Sequence, residues 1–313
     1  MRSFYYYKYT NVIQNHMKTF RLKGLNNKGE FTMEKLYVTD LDGTLLRNNA
    51  TLSEFSRRNL SELIKNKDLK FTIATARALP SVRYILKDLP LNIPVIENNG
   101  AYVTDYKTGK HLIVNSIEGK LAKDILYIIS KYKSSPYVSA CNESEDKLFY
   151  GDVINEGMQL LLNDKIKQDD KRLNQVQDIN CVLSNKIVGF TVINKEKELT
   201  PIFKILKEKY GKLLRFTFEE DQYYPGWHWL TINSCNATKA KAIDTVRSIM
   251  GFDKEHLTVF GDNTNDIPMF EIAHEGVATS NAKQELKKYA TKIIGSNEED
   301  SVVKYILNDQ NNG

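Results

Sequence analysis

The sequence predicts an α/β protein whose Rossmann-like parallel-sheet core is interrupted by an inserted α/β cap domain. Short apolar strands alternate with helical patterns over residues 34–115, and the same alternation resumes over residues 230–313. This alternation is typical of βαβ units around a parallel sheet. Residues 116–229 have a different sequence pattern, because charged runs separate their predicted helices and strands. We therefore expect one core domain, 34–115 with 230–313, and one cap domain, 116–229.

The first core segment opens with the apolar run Leu36–Thr39, which we expect to form a strand. Ser53 is a suitable N-cap for the helix that follows, because its hydroxyl can accept a free N–H of the first helical turn. Further strands are expected at Phe71–Ala74 and Pro94–Glu97. The second of these runs into Asn98-Asn99-Gly100, a turn signal.

The second core segment opens with a predicted helix over Lys239–Met250, whose apolar residues share one face. Gly251 follows it, as expected for a residue that ends a helix in a left-handed conformation. The remaining predicted elements are strands at Leu257–Phe260, Gly276–Ala278 and Thr291–Ile294 and a short helix at Pro268–Ala273.

The composition excludes several classes of protein. The 313 residues are 41% hydrophobic and 27% charged, as in an ordinary globular protein. The longest apolar runs fall short of the roughly 18 residues that a membrane span needs, so we expect no membrane partner. The three cysteines lie far apart and form no C-x-x-C pair, which argues against a disulfide framework or a zinc site. We expect a cytoplasmic protein with reduced thiols.

The net charge of +5 is concentrated in residues 1–32, which hold six basic residues and one acidic residue. The rest of the chain is electrically neutral, so we expect no nucleic-acid partner. Met33 begins a run that leads directly into the first strand. We therefore interpret residues 1–32 as a translated leader upstream of the native start; the alternative is a basic arm.

The segment Asp40-Leu41-Asp42-Gly43-Thr44 directly follows the first apolar strand. Both carboxylates therefore lie at the carboxyl end of that strand, where open α/β sheets bind their ligands. Two acids this close repel each other and call for a cation nearby. Gly43 allows the chain to turn sharply and to approach a ligand. The alternative is an Asp-Gly turn with solvated acids.

A second acidic segment, Gly261–Asp266, follows the strand at 257–260 and contains Asp262, Asn265 and Asp266. Because parallel strands end at the same edge of a sheet, its carboxylates are expected to meet Asp40 and Asp42. Several carboxylates without histidine or cysteine suit a hard cation, and Mg²⁺ above all.

Two further residues fit a phosphate site at this edge. Thr75 ends the second strand, and its hydroxyl and the backbone N–H groups after it, beginning with Ala76, are expected to hold phosphate oxygens at a helix start. Lys239 opens a helix, where the macrodipole disfavours a cation. That cost suggests an anionic ligand near Lys239; the alternative is a solvated lysine.

In this order and spacing, the motifs resemble the haloacid dehalogenase (HAD) superfamily. The Cof-type branch with a IIB cap is indicated by Ala74–Arg77, Asn98–Ala101, the long insertion before Lys239 and Asn281-Ala282. The sequence departs from the branch at Ala76, where glycine is usual, and at Ser234–Asn236, where Pro-x-Gly is common. The first departure bears on how closely a ligand approaches there, and the second on the local loop.

The resemblance implies a phosphatase that uses Mg²⁺ and an aspartyl-phosphate. It makes Asp40 the nucleophile and a metal ligand. Asp42 becomes the acid and base, with its backbone carbonyl on the metal. The remaining implied roles are phosphate binding by Thr75, Ala76 and Lys239, metal binding by Asp262, support of the metal or phosphate by Asp266 and Asn265, and substrate contacts by Asn99, Gly100 and Arg77.

The expected partner is a small phosphorylated metabolite: a sugar phosphate, a nucleotide or a cofactor phosphate. A phosphomutase and a non-catalytic sensor of such a metabolite are the alternatives. The acid and base expected at Asp42 favour a phosphatase over a sensor, which needs no proton transfer. The aromatic segment Tyr223–Trp229 is expected either to form a wall of the cap over the active site, in contact with the substrate, or to be a turn that packs the cap against the core. The oligomeric state stays open.

Overall fold

The computed structural model describes residues 35–142, 145–221 and 223–312. The predicted leader, residues 1–32, lies outside the described residues. Within these residues, no helix combines the length and the apolar character that crossing a membrane requires.

The strands, in chain order, are β1 (Leu36–Thr39), β2 (Lys70–Ile73), β3 (Val95–Glu97), β4 (Tyr102–Thr104), β5 (His111–Val114), β6 (Pro136–Cys141), β7 (Asp146–Tyr150), β8 (Leu173–Gln175), β9 (Lys186–Asn194), β10 (Leu214–Glu220), β11 (His228–Ser234), β12 (Leu257–Gly261), β13 (Glu275–Ala278) and β14 (Lys292–Ile293). The α-helices are α1 (Glu54–Asn66), α2 (Leu79–Leu86), α3 (Gly119–Lys131), α4 (Glu156–Lys167), α5 (Glu196–Tyr210), α6 (Lys239–Met250), α7 (Ile267–Ile272), α8 (Gln284–Lys287) and α9 (Ser301–Asn312).

The core domain is built on a parallel sheet with the strand order β14-β13-β12-β1-β2. β1 pairs with β12 on one side and with β2 on the other, so Thr39 stands beside Phe260 and Ile73. All four residues of β1 are buried. This continuous burial is expected of a parallel strand that is covered on both faces. The carboxyl ends of β1 and β12 therefore lie side by side.

A small antiparallel sheet, β3-β4-β5, continues the core beside β2. It is joined to β2 by a parallel bridge between Ala74 and Ile96. The helix caps follow the sequence prediction. Ser53 accepts the Ser56 N–H at 3.0 Å to begin α1, and Gly251, at φ +78°, ends α6.

The cap domain has a six-stranded sheet with the order β10-β11-β9-β6-β7-β8. Its pairs are antiparallel except β7 with β8. Alternate residues of β6 face opposite sides: Val138 packs with α3 and α5, and Tyr137 packs with α4. One lysine of α4, Lys165, reaches the core, where its ammonium donates to the Ser81 hydroxyl at 2.8 Å.

The predicted cap boundary at residue 229 falls inside β11. His228–Ser234 pairs along its length with β10 and most of its length with β9, so the cap sheet extends to Ser234. The core therefore resumes after Ser234 and not at residue 230. The sequence analysis placed this boundary too early, because only the pairing of β11 with β9 and β10 identifies it as part of the cap sheet.

Candidate active site

An acidic cluster lies at the carboxyl ends of β1 and β12. Asp40 directly follows β1, and Asp262 directly follows β12. Asp266 lies one turn beyond Asp262, in the short helical segment Thr264–Asp266. One carboxylate oxygen of each aspartate lies within 4.8 Å of the others. The two acidic segments that the sequence singled out thus meet at one edge of the sheet.

The turn after β1 holds this cluster in place. The Leu41 N–H donates to Asp40 Oδ1 at 2.7 Å, and the Thr44 hydroxyl donates to Asp262 Oδ1 at 2.9 Å. Gly43 has φ +72°, and a Cβ there would overlap the Asp262 carboxylate. Asn281 supports the same turn, because its side-chain amide donates to the Gly43 carbonyl at 2.8 Å. Only glycine satisfies both demands at position 43.

Lys239, the first residue of α6, is buried against the acidic cluster. Its ammonium lies 2.9 Å from Asp40 Oδ2 and 2.7 Å from Asp266 Oδ1, and the residue is only 3% exposed. These contacts explain how a cation is tolerated at a helix N-terminus. The anionic neighbour that the sequence suggested for Lys239 consists here of two carboxylates of the protein.

The charges of the cluster do not balance. Burial raises the pKa of Asp40 well above its usual range; Lys239 opposes this shift, and the Asp266 and Asp262 carboxylates add to it. Burial, and then the Asp266 carboxylate, raise the pKa of Asp262 to about 7. Three carboxylates and one ammonium carry two net negative charges when all are ionised. A divalent cation would cancel this excess.

The donor set suits such a cation. The clustered ligand atoms are carboxylate oxygens, which hard cations such as Mg²⁺ prefer. Asp266 is already engaged: its Oδ1 binds Lys239, and its Oδ2 accepts the N–H groups of Asp262 and Asn263 at 3.1 Å each. Asp40 accepts two bonds from the protein and the Asp262 carboxylate one, against three for Asp266, so Asp40 and Asp262 are better placed to bind a metal directly, and Asp266 to organise the lysine and the loop.

Asp42 lies apart from the three clustered aspartates and has different partners. Arg77 forms two bonds with its carboxylate, Nε to Oδ2 at 2.7 Å and Nη2 to Oδ1 at 2.6 Å. The Tyr223 hydroxyl of the cap donates to the same Oδ1 at 2.6 Å. Burial alone would raise the pKa of Asp42, but the bonds from Arg77 and Tyr223 outweigh burial and hold it below its usual value.

The segments around Thr75 and Asn99 border the site. Thr75 is fully buried, and its hydroxyl accepts the Arg77 N–H at 3.1 Å. The Thr75 carbonyl accepts the Asn99 N–H at 2.9 Å, which ties the two segments together. Ala76 is exposed. The helix expected directly after Thr75 begins later, at Leu79, because Ala78 is its extended N-cap.

Two amide side chains among the predicted ligand-binding residues have an unsatisfied oxygen. The Oδ1 atoms of Asn99 and Asn265 are buried, without a hydrogen-bond partner. A buried acceptor without a donor costs free energy, so these positions suit a bound ligand or water. The backbone of Gly100 packs so closely on Thr238 that a Cβ there would overlap its carbonyl group.

Sequence reasoning assigned no role to Thr44, and to Tyr223 only the role expected of its aromatic segment. Thr44 was part of the quoted Asp-x-Asp-Gly-Thr motif, and its bond to Asp262 now gives it one. Tyr223 was part of the aromatic segment noted in the cap. Its only sequence signal was that segment, since a contact between domains leaves no local pattern.

The parallel core, the carboxylates at one sheet edge and the cap above them together define a class of hydrolase. A family model described as haloacid dehalogenase-like hydrolase matches residues 37–306. The chain belongs to this family, as its ordered motifs predicted.

Individual relatives agree with this assignment. The chain is 24% identical over 278 residues to 5-amino-6-(5-phospho-D-ribitylamino)uracil phosphatase YitU of Bacillus subtilis (strain 168), across 88% of this chain and 97% of YitU. The crystal structure of TM0651 from Thermotoga maritima is similar, with a TM-score of 0.71, 27% identity and coverage of 88% of this chain and 97% of that one. The HAD subclass IIB sugar phosphatase BT4131 has the same fold, with a TM-score of 0.70, 22% identity and coverage of 88% and 99%. The protein is a phosphatase with a IIB-type cap.

Proposed function

We propose that the protein is a Mg²⁺-dependent phosphatase that hydrolyses a small phosphorylated metabolite through an aspartyl-phosphate on Asp40. The observation that carries the proposal is the separation of two kinds of carboxylate. Asp40, Asp262 and Asp266 form a cluster around the ammonium group of Lys239. With all four groups ionised, two negative charges are left without a counter-charge. Asp42 stands apart with hydrogen-bond donors of its own. The cluster suits a metal and a nucleophile, and Asp42 suits proton transfer.

The magnesium ion would be held by the carboxylates of Asp40 and Asp262 and, following the family resemblance, by the backbone carbonyl of Asp42. When bound, it supplies positive charge that offsets the repulsion between a carboxylate and a phosphate. Asp266 would hold Lys239 and Asp262 in place beside the ion, through its bonds to the Lys239 ammonium and to the Asp262 N–H.

The first chemical step takes place at Asp40. The Leu41 N–H and the Lys239 ammonium fix its carboxylate in one orientation. A carboxylate oxygen of Asp40 forms a bond to phosphorus while the bond between phosphorus and the leaving oxygen breaks. Lys239, with Thr75 and the Ala76 N–H, would hold the phosphoryl oxygens, because the transition state needs positioning and charge neutralisation above all.

Asp42 moves the protons. In the first step a protonated Asp42 gives its proton to the leaving oxygen, which departs as an alcohol. In the second step Asp42 takes a proton from water, whose oxygen attacks phosphorus, and the bond to Asp40 breaks to release inorganic phosphate. Because the bonds from Arg77 and Tyr223 lower the pKa of Asp42, the incoming substrate has to take over the donors of Arg77 before Asp42 can carry a proton.

The experiment that tests the function is release of inorganic phosphate from a panel of phosphorylated metabolites, with and without Mg²⁺. The panel begins with 5-amino-6-(5-phospho-D-ribitylamino)uracil, after the name of the relative YitU, and includes sugar phosphates and nucleotides. Release of phosphate only with Mg²⁺ would support the proposal. Isomerised product without free phosphate would instead identify a phosphomutase, and binding without turnover a sensor.

A further inference from the structure

Tyr223 belongs to a hydrogen-bonded turn of the cap, between β10 and β11. The Asp221 carboxylate accepts the N–H groups of Tyr223 and Tyr224 at 2.8 and 2.9 Å. The Asp221 N–H in turn donates to the Trp227 carbonyl at 2.8 Å. Gly226 allows the chain to return, at φ +83°. These bonds hold the backbone of the turn at Tyr223.

The turn aims the Tyr223 hydroxyl at the core. It donates to Asp42 Oδ1 at 2.6 Å, and the ring lies 5.8 Å from the guanidinium carbon of Arg77. Asp42 thus has two kinds of partner. Arg77 comes from the same domain, so its bonds to Asp42 do not require contact between the cap and the core. Tyr223 comes from the other domain, so its bond exists only while the cap lies against the core.

Other contacts seat the cap independently of Tyr223. The Asn263 side-chain amide of the core donates to Glu219 Oε2 of the cap at 3.1 Å. Lys165 donates to Ser81, as described above. Loss of the Tyr223 hydroxyl alone therefore leaves the cap with these two bonds to the core.

We propose that Tyr223 is a positioning residue, which orients the Asp42 carboxyl for proton transfer to the leaving oxygen when the cap is closed. A carboxyl group that can rotate about its side-chain bonds donates its proton efficiently only when the acid and the leaving oxygen are aligned. The inference rests on the proposed function, since it assumes that Asp42 is the acid. It links closure of the cap to the chemistry.

The test compares two esters that differ in how much they need an acid. p-Nitrophenyl phosphate releases a stable anion and gains little from protonation, whereas phenyl phosphate has a poorer leaving group. The quantity is kcat/KM, which covers the steps up to departure of the leaving group. The variant is Tyr223→Phe. The matched control is Tyr224→Phe, whose hydroxyl donates to Asp164 Oδ2 at 2.7 Å, within the cap.

For Tyr223→Phe we expect kcat/KM to fall about tenfold with phenyl phosphate, because its leaving group depends on protonation by the acid. With p-nitrophenyl phosphate, whose leaving group gains little from protonation, we expect kcat/KM to fall less than about twofold. Tyr224→Phe should leave both values unchanged. Equal losses with both esters would show that the hydroxyl acts on the seating of the cap, and would overturn the inference.

An unchanged Tyr223→Phe enzyme would overturn it as well. In both cases the proposed function stands, because the wild-type enzyme is active. A wild-type protein that releases no phosphate from either ester or from the metabolite panel, with Mg²⁺ present, would overturn the proposed function and the inference together.

Discussion

The ammonium group of Lys239 lies 2.7 Å from Asp266 Oδ1, and both residues are almost fully buried. The second neighbour of this ammonium is Asp40, at 2.9 Å. Burial alone would lower the pKa of Lys239, but the Asp266 and Asp40 carboxylates outweigh burial and raise it. The lysine therefore stays charged at neutral pH, and it contributes a fixed positive charge beside Asp40.

Replacement of Lys239 by methionine should affect both activity and stability. Phosphate release should fall roughly 10²–10³-fold, since one preorganised charge is lost. The free energy of unfolding should fall by about 3–5 kcal/mol at neutral pH, because Asp40 and Asp266 are left without a counter-charge. Urea unfolding and phosphate release measure the two effects.

The control for this variant is Lys241→Met, an exposed lysine two residues further along α6. Its loss should change the free energy of unfolding by no more than about 0.5 kcal/mol. A Lys239→Met protein as stable and active as the Lys241→Met protein would contradict the assigned role.

Asp40→Asn should abolish phosphate release without unfolding the protein. The amide keeps the shape of the side chain but cannot attack phosphorus. Burial raises the pKa of the Asp40 carboxyl, so a neutral group is easily accommodated at this position. We expect an unchanged far-UV circular dichroism spectrum and a Tm no lower than that of the wild type. Substantial phosphate release by this variant would rule out Asp40 as the nucleophile.

Gly43→Ala should separate backbone strain from damage to the site. Gly43 and Gly251 both have positive φ, +72° and +78°, so alanine at either position should cost about 1–2 kcal/mol of stability. Only at Gly43 does the added Cβ overlap the Asp262 carboxylate; at Gly251 it meets nothing within 4 Å. Activity should therefore be lost in Gly43→Ala and kept in Gly251→Ala. Equal activities would show that the turn tolerates a displaced Asp262.

Stabilisation by Mg²⁺ should depend on pH. Burial, and then Asp266, raise the pKa of Asp262 to about 7, against about 3.9 in an unfolded chain. Between these values the metal-free folded protein binds more protons than the unfolded chain, so stability falls as pH rises from about 4 to about 7. Protons compete with the metal for Asp262, so Mg²⁺ should raise Tm more at about pH 8 than at about pH 5.

Thermal unfolding with and without Mg²⁺ at the two pH values checks this expectation. The control is Asp262→Asn, which removes the titrating group and one ligand. Its Tm should respond to Mg²⁺ weakly and similarly at both pH values. An equal Mg²⁺ response of the wild type at both pH values would argue against a metal bound through Asp262.

Much of the core was predictable because its signals are local. The strand Leu36–Thr39 and the helix Lys239–Met250 have the predicted bounds, since an apolar run and an amphipathic period with a following glycine specify them directly. The meeting of Asp40 with Asp262 also followed from local patterns. Both residues end apolar strands, and parallel strands end at one edge of the sheet.

What the sequence did not predict depends on how the two domains sit together. The cap boundary was misplaced because β11 is recognised only by its pairing with β9 and β10. The bond from Tyr223 to Asp42 spans 181 residues and two domains, so no periodicity reports it. Arg77 was expected to contact the substrate, and its two bonds to Asp42 depend on side-chain geometry that a motif does not encode.

The cap sheet is inserted between β5 and α6, so the residues that choose the substrate can change in evolution separately from the residues of the acidic cluster. The acidic cluster, which includes the proposed nucleophile Asp40, and the buried Lys239 belong to the core, so substitutions across most of the cap should leave them intact. The choice of substrate can therefore change while the residues proposed to cleave the phosphate ester stay the same. A chimaera that carries another cap on this core should accept different esters. It should cleave them well only if the turn of the new cap that faces Asp42 supplies a hydroxyl at the position of Tyr223.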